Sequence, residues 1–478
     1  MPLTKEQEAI VDAVCSDDND SRIIAVNAVA GSGKTSTADA VIKAYNPQNG
    51  FYTAFNRAIV KDSEKRFGKM LQCKTIHALA YKYCKPSKPI EDLNYLTIKE
   101  PISYEDKSLV IETIDNFFRS ASTDLEEYAK RKTDNENLQN LILEYADRML
   151  QGDINPTFNF LLKNLHLQLL DRETEIDFDL LILDECQDTT AVALEIFKLI
   201  NAKKKLILGD RFQNIYSFMN TVNAFEELDD LRLLRLTKSF RCNPNIASTV
   251  EEYGRLYLEP EFSYVGNEEI PDKNESLAFI TRTNSALIER MDLLMDTGHC
   301  FKLTRKPEEI FALPMALLNA SSGKPVLNKK FKFLEKEFKR YQDISDSFTS
   351  FFDYLQIAVN DEAVNATCRV LLKFKDKKIN IYDLYNKVKA MKPDPRIILT
   401  TSHAFKGLEA DSVVIENDLN QCVNKVIERL RVLKEDLPFG ESIFELKKYL
   451  DKSDKEDLNT YYVALSRARN KITNVGYR

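Results

Sequence analysis

The run Ala28-Val29-Ala30-Gly31-Ser32-Gly33-Lys34-Thr35 constrains this chain more than any other stretch. It follows an apolar, β-branched segment at 22–26 and precedes a helix-compatible run at 36–45. Glycines in such a turn let backbone N–H groups close on phosphate oxygens, and the start of the next helix adds a positive dipole end. Lys34 then stands as a point charge for the β- and γ-phosphates, and Thr35 as a hydroxyl for Mg²⁺. The expected nucleotide shell is Ala30, Gly31, Ser32, Gly33, Lys34, Thr35 and Ser36, with ATP and Mg²⁺ as the cofactors. Ala28 occupies the place where the general phosphate-loop pattern has Gly, so the match rests on the GSGKT core.

Six more short apolar runs, at 51–54, 180–183, 205–208, 277–281, 396–400 and 412–415, end in polar or glycine-containing segments. Together with 22–26 they read as buried parallel strands, and the intervals between them carry helical spacing. The expected class is α/β with two parallel-sheet cores. Two stretches break the pattern. Residues 86–175 are mostly polar and helical, as at 107–119 and 135–150, and residues 305–390 are helical and rich in Lys and Phe. The expected division is therefore a first core at 1–85 and 155–245 interrupted by a helical insertion at 86–154. A second core at 246–304 and 391–478 is interrupted by a small insertion at 305–390.

Composition narrows the setting. No stretch of about 18 uncharged apolar residues occurs, so no membrane partner is expected. The start, MPLTKEQEAI, lacks the basic and apolar regions of a signal peptide. The eight cysteines form no CxxC pair, which points away from a zinc or disulfide framework and toward a reducing, intracellular compartment, cytoplasm or nucleus. A net charge of −7 does not announce a nucleic-acid binder, but phosphate contacts depend on local clusters of Lys and Arg. Such clusters lie at 203–205, 324–340 and 373–378. The aromatic-basic run FKFLEKEFKRY at 331–341 has the spacing of a helical packing face, with duplex contact as the other reading.

The apolar run at 180–183 ends in Asp184-Glu185. At a strand's C-terminal end, Asp184 can hold the Mg²⁺ water shell while Glu185 polarises the attacking water. Phosphoryl transfer also needs cations for the developing charge.

The residues around this acidic pair resemble a known family. Asp184-Glu185-Cys186-Gln187-Asp188 resembles the DExQD box of superfamily 1A helicases, the UvrD/Rep/PcrA group. The family's other motifs follow in order over nearly the whole chain: LTKEQ at 3–7, FYTAFNR at 51–57, KTIHALA at 74–80 and LGDRFQNIYSF at 208–218. LTKSFRC at 236–242, TSHAFKGLE at 401–409 and YYVALSRAR at 461–469 complete the set. Val222-Asn223-Ala224 and the AFN at 54–56 are most similar to the F-box DNA helicase branch, although no F-box is recognisable.

The resemblance implies two RecA-like P-loop NTPase domains with ATP between them and 3′→5′ travel on single-stranded DNA. By position, Gln7 would read adenine, Phe240 would stack on it and Glu409 would contact the ribose. Gln213 would sense the γ-phosphate, and Arg241 and Arg467 would be the arginine fingers; Arg469 is left as a solvated face. Tyr216 would stack on a base, helped by Phe55 and Phe218, while Asn56, Thr75, His77, Thr401 and His403 would lie along the strand. Phe218 and Met219-Asn220 replace the family's Trp and Arg-Gly, and Ser36 stands where many members have Arg. The expected activity is unwinding of single-strand/duplex junctions, with a loading or single-strand-binding protein as a further partner. Two alternatives stay open: a translocase that strips proteins without unwinding, and an ATP-switched subunit of a nuclease or repair complex.

Overall fold

The computed structural model describes residues 2–16, 23–54, 56–216, 220–271, 275–436 and 443–477. The chain divides into two compact units, Met1–Lys238 and Ser239–Arg478.

The first unit holds the strands β1 Ile23–Ala28, β2 Gly50–Ala54, β3 Gln72–Cys73, β4 Asp177–Asp184, β5 Thr189–Thr190, β6 Asn201–Gly209, β7 Thr221–Val222 and β8 Leu231–Leu236. Six of them form one sheet in the order β3-β2-β4-β6-β1-β8, and every pairing is parallel. β5 and β7 make a short antiparallel pair. Parallel strands need helical crossovers, which cover both faces of the sheet and make the covered stretches of the central strands apolar. The period of two then sorts each strand between two cores. Leu181, Leu183 and Ile207 face one core and Leu180, Ile182, Leu206 and Leu208 face the other.

The polar-helical stretch after β3 contains the helices Tyr104–Arg119 and Glu136–Leu150, followed by Phe158–Leu170. Their apolar stripes do not make a separate core. Ile114, Ile142, Leu161 and Leu165 pack in the same cluster as Phe51, Leu181 and Leu183 of the sheet. The helices begin where the sequence supplies caps: the side chains of Ser103, Asn135 and Thr157 accept backbone N–H groups of their first turns.

The second unit repeats the plan with β9 Leu277–Thr281, β10 Lys302–Leu303, β11 Ile397–Thr401, β12 Ala410–Ile415 and β13 Ala468–Thr473. The order is β10-β11-β9-β12-β13, again parallel throughout. The fold is thus α/β with two parallel sheets, as expected. Between β10 and β11 a helical stretch builds a core of Leu317, Phe351, Leu355, Leu371 and Phe374 that is continuous with Leu287, Ile288 and Leu399. The basic-aromatic run at 331–341 contributes to that packing: Leu334 is buried, and the rings of Phe338 and Tyr341 lie 5.2 and 5.5 Å from Phe351. Among the described residues no helix is long and apolar enough to cross a membrane. All eight cysteines are unpaired.

Candidate nucleotide site and strand path

The loop after β1 has the geometry its sequence requires. Gly31 and Gly33 sit at φ of 76° and 82°, the left-handed region that glycine enters without steric cost. Gly33 is also the N-cap of the helix Lys34–Tyr45 and offers that helix no side-chain cap. The first-turn N–H groups and the dipole end are therefore suited to an anion. Ser32 is buried with its Oγ lacking a hydrogen-bond partner; a buried hydroxyl of this kind suits a phosphate oxygen.

Strand order brings the remaining groups to the same edge. β4, β6 and β1 are adjacent, with Asp184 level with Leu208 and Asn27 level with Gly209. The C-terminal ends of three neighbouring strands thus carry the phosphate loop, Asp184-Glu185 and Gly209-Asp210. Lys34 Nζ lies 3.1 Å from Glu185 Oε1. Burial alone would pull the Lys34 pKa down, but the carboxylates of Glu185, Asp184 and Asp210 outweigh it and leave it raised. Asp184 is pushed up to about 6, by burial first and by the adjacent Glu185 charge second. Its Oδ1 accepts the Glu185 N–H at 2.9 Å, and its Oδ2 accepts the Tyr52 hydroxyl.

Glu185 itself occupies the left-handed region, at φ 50°, where a non-glycine residue is strained and held by its surroundings. The holding group is Gln187, whose Nε2 donates to Glu185 Oε2 at 2.6 Å while its Oε1 accepts the Asp210 N–H at 3.2 Å. Asp210 Oδ2 in turn accepts from Gln213 Nε2 at 2.7 Å. This network passes so close to Gly209 that a Cβ there would run into Gln187 Oε1 and Cys186 Sγ.

Thr35 and Asp184 offer hard oxygens, the donor set Mg²⁺ takes when phosphate and water supply its other ligands. Among the described residues no group of three or more His, Cys, Asp and Glu could hold a metal. Two protein oxygens suit an ion whose other ligands are phosphate and water.

Gln7 is 4% exposed. Its Oε1 accepts the Thr4 N–H at 3.0 Å and its Nε2 donates to Thr37 Oγ1 at 3.1 Å. One donor and one acceptor position of the amide are left over. Ser36 is exposed at the start of its helix.

On the same unit, Asn56 and Thr75 are the N-caps of the helices Arg57–Phe67 and Ile76–Cys84. His77 Nε2 lies 3.4 Å from Asn159 Oδ1. Burial is the main cause that lowers the His77 pKa, and Arg119 and Arg57 push the same way, so the ring is neutral at pH 7. Tyr216 is half-buried, and burial, with Asp188 and Glu185, pushes its phenol up to about 12. Phe55 and Phe218 lie outside the described residues.

In the second unit Glu409 gathers two arginines. Arg241 Nε lies 2.7 Å from Glu409 Oε2, and Arg469 Nη2 bonds Glu409 Oε1. Burial works against the Glu409 carboxylate, but Arg469 and Arg241 more than offset it and lower its pKa. Arg467 is 1% exposed. Its Nε donates to the Val463 carbonyl at 2.9 Å and its Nη2 to Ser466 Oγ at 2.8 Å. Phe240 is half-buried and Thr401 buried; His403 Nε2 lies 3.5 Å from Glu456 Oε1.

The structure also holds groups that motif reading left unassigned. Asp210 and Gln187 were visible only as members of motifs, and Tyr52 only as a phenol inside an apolar strand. Arg469, two residues past Arg467, gave no sign that it shares Glu409 with Arg241.

Residues 7–219 match a family described as an AAA domain. The chain is 24% identical to F-box DNA helicase 1 of Gallus gallus over 467 residues, covering 87% of this chain and 44% of that protein. It is 25% identical to F-box DNA helicase protein 1 of Schizosaccharomyces pombe over 532 residues, covering 98% and 57%. The chain thus spans about half the length of these relatives.

Proposed function

We propose that this chain, a distant homologue of the F-box DNA helicases with an AAA domain at 7–219, is an ATP-driven motor that moves 3′→5′ on single-stranded DNA and separates duplexes. The observation that carries this reading is the convergence of Lys34, Asp184 and the Gln187–Asp210–Gln213 network on one sheet edge. Lys34 and the loop backbone hold the phosphates, while Thr35 and Asp184 hold Mg²⁺, which supplies charge neutralisation on the phosphoryl oxygens when bound. Glu185 orients and deprotonates the attacking water, and Gln213 reports the γ-phosphate through Asp210. Arg241 and Arg467 supply the cations that phosphoryl transfer requires.

Asn56, Thr75, His77 and Tyr216 contact the strand, as do Thr401 and His403. The motor cores are 1–85 with 155–238 and 239–304 with 391–478, residues 239–245 going to the second because they fall in its compact unit, and the helical stretches 86–154 and 305–390 are their insertions. The substrate is single-stranded DNA and its junctions with duplex, delivered by a loading or single-strand-binding protein in an intracellular compartment.

The test is strand separation on matched duplexes bearing a 3′ or a 5′ single-stranded tail, with hydrolysis followed in parallel. Unwinding from the 3′ tail alone is expected. DNA-stimulated hydrolysis without unwinding from either tail would replace this reading with that of a translocase. Turnover indifferent to DNA would replace it with an ATP-switched subunit.

A further inference from the structure

Tyr52 lies in β2, at a position turned toward the core that contains Ile182, Phe67 and Val41. It is fully buried. A Phe or Leu would fill that space as well, so the hydroxyl needs its own explanation, since a buried hydroxyl is costly unless it is bonded. In register Tyr52 sits beside Ile182, and the next strand position but one, Ala54, sits beside Asp184. Two residues of strand are about 6.6 Å, a distance the length of a phenol covers. The hydroxyl donates to Asp184 Oδ2, while Asp184 Oδ1 takes the Glu185 N–H at 2.9 Å.

Two donors on opposite oxygens fix the plane of the carboxylate and leave its remaining lone pairs for other partners. The ring is itself held: Phe67 packs against it with ring centres 5.5 Å apart. A lysine or arginine in this place would orient Asp184 equally well but would repel a divalent cation. A neutral phenol orients without opposing it.

We propose that Tyr52 is a positioning residue that aims the Asp184 carboxylate at the Mg²⁺ of the nucleotide complex. This rests on the reading of Asp184 as the carboxylate that holds the Mg²⁺ water shell. Outer groups that orient a metal-holding side chain are worth roughly 10- to 100-fold in metal affinity.

The experiment uses the full chain. Mn²⁺ binding is followed by electron paramagnetic resonance at saturating ADP, and ADP affinity is measured separately in EDTA. Tyr52→Phe is expected to weaken Mn²⁺ binding by about tenfold or more while leaving ADP affinity in EDTA unchanged. Wild-type Mn²⁺ affinity in Tyr52→Phe would overturn the proposal. Loss of ADP binding in EDTA would also overturn it, by showing that the phenol supports the loop as a whole. Asp184→Asn separates the two levels: if it leaves Mn²⁺ affinity untouched, the reading of Asp184 has failed, whatever Tyr52 does.

Discussion

Substituting Glu185 by Gln preserves the side chain's shape and removes one charge, and its consequences divide cleanly between binding and turnover. Lys34 Nζ and Glu185 Oε1 are 3.1 Å apart, with 14% and 23% of the side chains exposed. At an effective dielectric near 20, two unit charges at that separation attract by about 5 kcal/mol. Most of this does not reach ATP affinity. Lys34 still faces Asp184 and Asp210, and a paired, partly buried carboxylate also bears a desolvation cost that the amide avoids. A net gain of about 1 kcal/mol, somewhat under tenfold tighter ATP, is the expected remainder. Turnover moves the other way. Removing the group that takes a proton from the attacking water costs about 10²- to 10⁴-fold, or about 3–5 kcal/mol of barrier. Single-turnover hydrolysis with single-stranded DNA gives the rate, and titration with a fluorescent ATP analogue gives the affinity. A rate within tenfold of wild type would refute Glu185 as the water-activating group. ATP affinity falling by tenfold or more would refute the exchange argument and make the ion pair a support of the loop.

Lys34→Ala is expected to abolish hydrolysis while sparing single-strand affinity, checked by phosphate release and by fluorescence anisotropy with a labelled oligonucleotide. Because His77 is neutral at pH 7, His77→Ala should weaken strand binding without changing the slope of log affinity against log salt. His166 is 2% exposed, and burial, with Lys163 adding to it, lowers its pKa from 6.5 to about 4. The unfolded chain takes up this proton near pH 6.5 and the folded one only near pH 4. Stability present above pH 6.5 is therefore lost as pH falls toward 4, by up to about 3 kcal/mol. His166→Gln should remove that part of the slope in urea melts across the same window.

The parts of the fold that were legible are those whose burial leaves a short stretch of the strand without polar residues. β4 and β6 are buried toward their C-terminal ends, so 180–183 and, after Lys205, 206–208 stood out as apolar runs. β8 sits at the sheet edge, where Arg232 and Arg235 interrupt the sequence LRLLRL, and no run was visible. β13, ARNKIT, is likewise an edge strand with polar residues throughout. The phosphate loop was legible because local backbone geometry dictates its glycines and the charge for the phosphates, Lys34, follows them directly in sequence. Tyr52 was not, because its role depends on a residue 132 positions away. The helical stretch after β3 was visible as helices, but nothing local could show that Ile114 and Ile142 would share a core with Leu181.

The candidate groups in both units already have protein partners: Lys34 with Glu185, Gln213 with Asp210, Arg241 with Glu409 and Arg467 with the Val463 carbonyl. A buried charge without a partner would cost several kcal/mol, so within each unit these groups are held before any ligand arrives. Ligand contact then exchanges one bond for another, and the net gain per side chain is about 1 kcal/mol rather than the several a new bond would bring. Nucleotide affinity should therefore rest mainly on the loop backbone and the helix end, which offer the phosphates groups without side-chain competitors. The side chains can contribute most where charge develops during phosphoryl transfer, because only there does the new partner outbid the old one. Substitutions among these residues should accordingly fall on kcat far more than on KM.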